Sequence, residues 1–325
     1  MRLKLVPTET NLDFFKVTTL TAGISAILAV LSVVAFFMFG LNYGIDFKGG
    51  TVIRTATPMP VEVSEYRDVL STLELGDFTV TEVVDPGAEL TDTERNSIMI
   101  RIEQQSEDPA TQDGLIKEVK AALLDTIDGV YFLQTDSVGA KVSGELVQAG
   151  VIAVLLAVVA VLFYIWLRFE WQFSLGAVAA LVHDVALTVG VFAVAQIEFN
   201  LSIIAAILTI VGYSLNDTVV VFDRVRENLR RYKSTSLKEV LNRSINETLS
   251  RTVMTSVTTL LALIALYVLG GDVIRGFTFA MIWGVIVGTY SSVFIASPIL
   301  LRLGVKRDWD KDNGAAGTQY ANIDA

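Results

Sequence analysis

The sequence predicts a polytopic α-helical membrane protein: six transmembrane helices, with one exported ferredoxin-like α+β domain between spans one and two. Two observations predict this. The 325 residues are 52% hydrophobic with a mean hydropathy of +0.55, and the apolar residues gather in runs of about 20, the length a helix needs to cross hydrocarbon. Charge is also divided unevenly. Residues 41–145 hold 20 acidic and 8 basic side chains, whereas the rest of the chain holds 15 and 17. An acidic, water-exposed domain is therefore set into an apolar body.

The first apolar run covers 17–40, behind a short polar segment at 1–16. It is too long for a signal-peptide core and lacks a small-x-small cleavage site, so it reads as a retained helix. Five further spans are expected near 146–167, 174–195, 199–222, 252–269 and 276–303. Short connections set the orientation through their Lys and Arg content. Arg2, Lys4 and Lys16 precede span one, and Arg168 follows span two. The segment 223–250, read as a loop, carries Arg224, Arg226, Arg230, Arg231, Lys233, Lys238 and Arg243. Arg302, Lys306 and Arg307 flank the polar tail at 304–325. The opposite connections are nearly free of basic residues: 196–198 has none and 270–275 has Arg275 alone. Both termini are thus expected in the cytoplasm, with the 41–145 domain outside.

That domain alternates hydrophobic periods of two and 3.6. Strands are expected at 51–56, 78–84, 97–103 and 129–135. A helix over 61–75 places Val63, Tyr66, Val69, Leu70 and Leu73 on one side; another over 115–127 aligns Leu115, Val119, Leu123 and Ile127. The order β-α-β-β-α-β is that of a ferredoxin-like sandwich, a fold that carries many unrelated functions. No nucleophile, base or metal cluster stands out, which points to a binding or mechanical role. Residues 42–51 (NYGIDFKGGT) join span one to the domain. Gly44, Gly49 and Gly50 permit unusual backbone angles beside Asp46, as a plain turn or as a hinge.

Ionisable residues inside hydrocarbon need a reason, since each costs about 2.5–3.5 kcal/mol even on lenient scales. Asp217 is the sharpest case, with Asn216 beside it. Spans four and five are antiparallel, so Arg251 at the start of span five is expected at similar depth and as an ion-pair partner. His183 and Asp184 lie about 15 Å into span three, near the midplane, as a proton relay or a plain interhelical hydrogen bond. Span five carries Thr252, Thr255, Ser256, Thr258 and Thr259; span six carries Gly284 and Gly288, then Thr289, Ser291 and Ser292. Small and hydroxylated residues favour close helix packing, or line a polar path. Leu229, Val240, Leu241 and Ile245 suggest an amphipathic helix touching membrane lipids through anionic headgroups, or docking a partner.

Composition excludes several chemistries. With no cysteine there are no disulfides or thiolates, and one histidine rules out a multi-histidine metal site. The acidic balance argues against nucleic acid as a partner. No phosphate-cradling Gly-Lys loop is present.

Four long motifs then stand on the expected elements in order: GIDFKGGT at 44–51, GYSLNDTVVVFDRVREN at 212–228, RTVMTSVTTLLAL at 251–263 and GTYSSVFIASP at 288–298. Together they resemble the SecF proteins of the SecD/SecF family, within the RND superfamily. The resemblance runs from about residue 12 to 305, leaving the polar tail outside it. It implies an RND-like half in the bacterial inner membrane, with a periplasmic domain and SecD as the pseudo-symmetric partner. It further implies the SecYEG channel, a translocating preprotein and a YajC-like accessory subunit as partners, and the proton-motive force as the energy source. On this resemblance Asp217 is the proton-carrying carboxylate, Arg251 its basic counterpart and Asn216 their support, the chain is not an enzyme, and no cofactor and no metal are implied. Three alternatives compete. One is an intramembrane aspartyl protease using Asp184 and Asp217, which differ in depth and lack a G-x-G-D context. The others are an RND-type exporter of lipids or small molecules and a purely structural subunit stabilising SecD.

Overall fold

A computed structural model describes residues 10–73, 75–76, 78–83, 96–104, 109–270 and 272–305. The orientation signals at Arg2, Lys4, Lys306 and Arg307, residue 84 of an expected strand and most of the tail lie outside these residues.

Helix α1 (Thr18–Phe39) rises into β1 (Asn42–Tyr43) and the single-turn α2 (Ile45–Lys48). The exported domain follows as β2 (Gly50–Thr57), α3 (Val63–Ser71), β3 (Phe78–Val83), β4 (Asn96–Glu103), α4 (Pro109–Thr126) and β5 (Tyr131–Val138). Its sheet runs β3-β4-β2-β5 with every neighbour antiparallel, the topology expected of β-α-β-β-α-β. Period-two alternation puts Ile98, Ile100 and Ile102 on one face, where they bury with Ile53 against Tyr66 and Leu70 of α3 and Val119 and Leu123 of α4. Burial pushes the Tyr66 phenol above its ordinary pKa, and Thr55 donates it a 3.1 Å hydrogen bond.

The membrane body continues as α5 (Ala140–Arg168), α6 (Trp171–Ala195), β6 (Glu198–Phe199), α7 (Leu201–Arg231), α8 (Leu237–Leu269), α9 (Asp272–Ser291), a π-helical turn (Ser292–Ala296) and α10 (Ser297–Leu303). The last three make one span, so among the described residues six helices are long and apolar enough to cross a membrane. Pro298 cannot donate to the helical ladder. Beside it the Ser297 hydroxyl donates to the Ser292 carbonyl at 3.0 Å, within the π-helical turn. Helix α6, helix α7 and the last span form the centre, whereas α1, α5 and α8 expose most of their surface. Helices approach closely in lipid where side chains are small. A Cβ on Gly288 would lie 3.0 Å from that of Ser214, and one on Gly190 would overlap Ser32 of α1.

The segment 223–250, expected as a loop, is almost wholly helical. Helix α7 runs on to Arg231, and α8 begins at Leu237 behind a capping box of Ser236 and Glu239. Leu229, Val240, Leu241 and Ile245 are all fully buried, packed together with Phe15 and Val305. Their apolar stripe is the core of a helical hairpin and faces no headgroups. Glu247 fastens the hairpin, accepting from Arg224 at 2.6 Å, Arg243 at 3.1 Å and Asn228 at 2.7 Å.

Candidate proton-coupling site and domain latch

Asp217 sits midway along α7 and is only 3% exposed. Its Oδ2 is buried without a hydrogen-bond partner. Asn216, the adjacent residue, points about 100° away around the helix and is exposed. The expected Asp217–Arg251 ion pair does not form, although Arg251 is close enough for its charge to act on the carboxylate. Arg251 is itself exposed. The helix register explains the gap. Tyr213 donates to Thr259 at 3.4 Å, and Asn228 to Ser244 at 3.0 Å. Both contacts place Asp217 opposite Thr255 and Arg251 opposite Val221. The charges are thus offset by one helical turn, about 6 Å along the axis.

Asp184 is the opposite case. Its Oδ1 meets His183 Nδ1 at 2.9 Å, and its Oδ2 accepts from Ser214 at 2.6 Å and Ser291 at 2.7 Å. One carboxylate thereby joins α6, α7 and α9, and it is 1% exposed. Ser214 lies one turn from Asp217 on the same face of α7. Ser214 and Ser291 were not distinguished in the sequence as Asp184 ligands. The signal was the run of small and hydroxylated residues, and Gly288 provides the close approach that lets Ser214 and Ser291 converge. Both Asp184 oxygens are engaged by His183, Ser214 and Ser291, so neither is directed to Asp217 as the expected carboxylate pair would need.

At the domain end of the bundle the 42–51 segment forms a latch. Strand β1 pairs in parallel with β6, and Gly44 N–H donates to the Phe199 carbonyl at 2.9 Å. Asp46 Oδ2 accepts from Leu201 N–H at 2.9 Å. It thus occupies the first turn of α7, where free N–H groups and the helix dipole favour an anion. Ser143 of α5 donates to the Ile45 carbonyl at 3.3 Å, and Arg101 of β4 forms an ion pair with Glu198. Gly49 has φ 76°, and Gly50, at φ 133°, admits no side chain because a Cβ would strike the Ile102 carbonyl. The α+β domain is therefore fastened to the N-terminal start of the helix that carries Asp217.

These features define a six-helix membrane protein whose exported domain is latched onto a carboxylate-bearing helix. The family model "Protein export membrane protein SecD/SecF, C-terminal" matches residues 118–306, and the "SecD/SecF GG Motif" matches 34–57, which includes the latch. The chain belongs to the SecD/SecF family, and it is a multi-pass inner-membrane protein. The protein translocase subunit SecF of Cereibacter sphaeroides is 52% identical over 324 residues, 100% of this chain and 99% of that one. The crystal structure of SecDF from Thermus thermophilus, a translocon-associated membrane protein, is 33% identical with a TM-score of 0.79, covering 93% of this chain and 40% of that longer one. A SecDF in its super-membrane-facing form is 34% identical and covers the same shares, with a TM-score of 0.63. This chain superposes better on the first.

Proposed function

We propose that this chain is a SecF-type subunit that couples proton flow across the inner membrane to the export of preproteins, working with SecD and the SecYEG channel. The observation that carries this reading is the unpartnered Asp217 oxygen on a continuous helix whose outer end holds the exported domain. A buried carboxylate without hydrogen bonds is costly as an anion and cheap as a neutral acid. One proton crossing 100 mV gains about 2.3 kcal/mol, enough to shift a balance between two arrangements of similar energy. In the charged form Asp217 attracts Arg251 across the one-turn offset, drawing α7 and α8 along each other. Protonation removes that attraction, and α7 carries its motion to the domain through Asp46.

Exposed Arg251 and Asn216, at membrane depth, require a protein cover rather than lipid. The SecDF relatives, whose chains run well beyond the matched part, supply the second half in one polypeptide, and SecD supplies it here. Lys16, Arg168, Arg302 and the basic hairpin share one end, which the positive-inside rule assigns to the cytoplasm. The domain is then periplasmic. A YajC-like accessory subunit completes the expected complex, and no chemical step is assigned to the chain itself.

The test is Asp217→Asn in inverted membrane vesicles. Proton-driven stimulation of preprotein export is lost, while ATP-driven export and membrane assembly persist. Full stimulation in that variant would refute the coupling and leave a subunit that only stabilises SecD.

A further inference from the structure

The bundle contains a second buried ionisable centre that the Asp217 site does not use. Asp184 accepts from two hydroxyls and shares a third hydrogen bond with His183 Nδ1, whose direction follows the imidazole tautomer. With one proton between Nδ1 and Oδ1 and none on Nε2, the His183–Asp184 pair carries one net negative charge in the middle of the membrane. A second proton, on Nε2, makes it neutral. His183 is 8% exposed, and its Nε2 is buried with no partner. The imidazole therefore has one nitrogen committed and one available.

The same residues connect two helices that reach the exported domain. On one side Ser214 leads to α7 and Asp217. On the other, the His183 ring lies 6.3 Å from that of Tyr290, tilted by 30°. The Tyr290 hydroxyl contacts Ser25 Oγ at 2.8 Å and donates to the Thr21 carbonyl at 3.1 Å, both on α1. Contact between Ser32 and Gly190 sets α1 beside α6. Counting seven residues back along each of these parallel helices brings Ser25 level with His183. Helix α1 runs straight into β1 of the latch. The other elements packed on α6 offer no rival charge at this depth. Helix α1 has no ionisable residue, α5 has only the exposed Tyr164 between Glu145 and Arg168, and α10 has only Arg302 near its end. Tyr290 lies against the His183 ring, and Asp217 is one turn along α7 from the Ser214 that meets Asp184.

We propose that His183 and Asp184 form a second proton-binding site, coupled to Asp217 through Ser214, and that this site holds α1 to α7 by way of Tyr290. Two net negative charges one turn apart in hydrocarbon are unfavourable. Loss of the proton from Asp217 therefore favours its retention on His183, and the two sites titrate as a linked pair. Both helices that enter the latch then respond to one proton inventory. His183 acts here as a positioning residue for the movement of α1.

The proposal rests on Asp217 as the proton carrier, and it is testable without an export assay. His183 is the only histidine in the chain, so uniform labelling of this chain with 15N-histidine gives one imidazole signal set by solid-state NMR, in bilayers with the unlabelled SecD partner. The expected result is a doubly protonated imidazole whose population, at fixed pH, falls in Asp217→Asn. An imidazole that stays singly protonated from pH 5 to 9, or a population unchanged by Asp217→Asn, overturns the second site. In export vesicles His183→Asn, whose amide nitrogen takes the place of Nδ1 beside Asp184, is expected to assemble normally and to lower proton-driven stimulation about tenfold, with an altered pH profile. Wild-type stimulation and profile in His183→Asn would also overturn it. A failure of Asp217→Asn alone in the export assay would instead strike the earlier reading, while the NMR result would stand by itself.

Discussion

Asp184 and Asp217 are the same residue type, buried in neighbouring helices of one bundle, yet they do opposite things. Asp184 has every oxygen occupied by donors from three helices. Asp217 has an oxygen with none and a cation one turn away. Satisfied hydrogen bonds hold the Asp184 carboxylate itself in place and leave His183 Nε2 as the open position of that centre, whereas their absence leaves Asp217 free to change its protonation at little structural cost. The contrast separates a joint from a switch.

The largest effect that sharpens this contrast is on the joint. Asp184→Ala leaves the buried Ser214 hydroxyl without its acceptor and breaks the contacts to His183 and Ser291, and a buried polar group left unmet costs about 1–3 kcal/mol. Expected is loss of the assembled, detergent-stable chain, read by fluorescence-detected size exclusion. Asp217→Asn, by contrast, is expected to elute as wild type with an unchanged melting temperature, because no hydrogen bond is lost. Equal destabilisation of the two would erase the distinction.

Smaller effects follow along the same lines. Ser214→Ala removes one of the three donors and is expected to lower stability by about 1 kcal/mol. Asp46→Ala removes the acceptor from the first turn of α7, a loss of about 1 kcal/mol that Asp46→Asn largely restores. Hydrogen exchange of the 42–50 backbone is expected to rise in the first variant and stay low in the second. Glu247→Gln weakens exposed ion pairs on the hairpin and is expected to cost below about 1 kcal/mol, with a salt dependence smaller than that of wild type.

Much of the architecture was legible from periodicity. Apolar runs located six spans, and alternation with 3.6-residue stripes located each element of the exported domain. The boundary between spans four and five was not. A helix that leaves hydrocarbon keeps its apolar stripe but gains charge, so hydropathy ended α7 near 222 whereas the helix itself continues to Arg231. Asp217, Asp184 and the latch glycines stood out because charge in lipid and glycine clusters are rare. Their partners did not. Ser214 and Ser291 are 30 and 107 residues from Asp184 in the chain, and their convergence depends on helix packing at Gly288. The one-turn offset of Arg251 is likewise a matter of register, set by Tyr213–Thr259 and Asn228–Ser244 contacts that no single segment encodes.

The central claim is that the protonation state of Asp217 sets the position of the exported domain. The chain is free of cysteine, so Asp113→Cys on α4 and Ser234→Cys in the 232–236 turn accept a spin-label pair at two exposed sites. Electron–electron distance measurements in bilayers with SecD, made across a pH series, are expected to show two distance populations that exchange with pH in the wild-type background and a single, pH-independent one in Asp217→Asn. The same pH response in both backgrounds would contradict it.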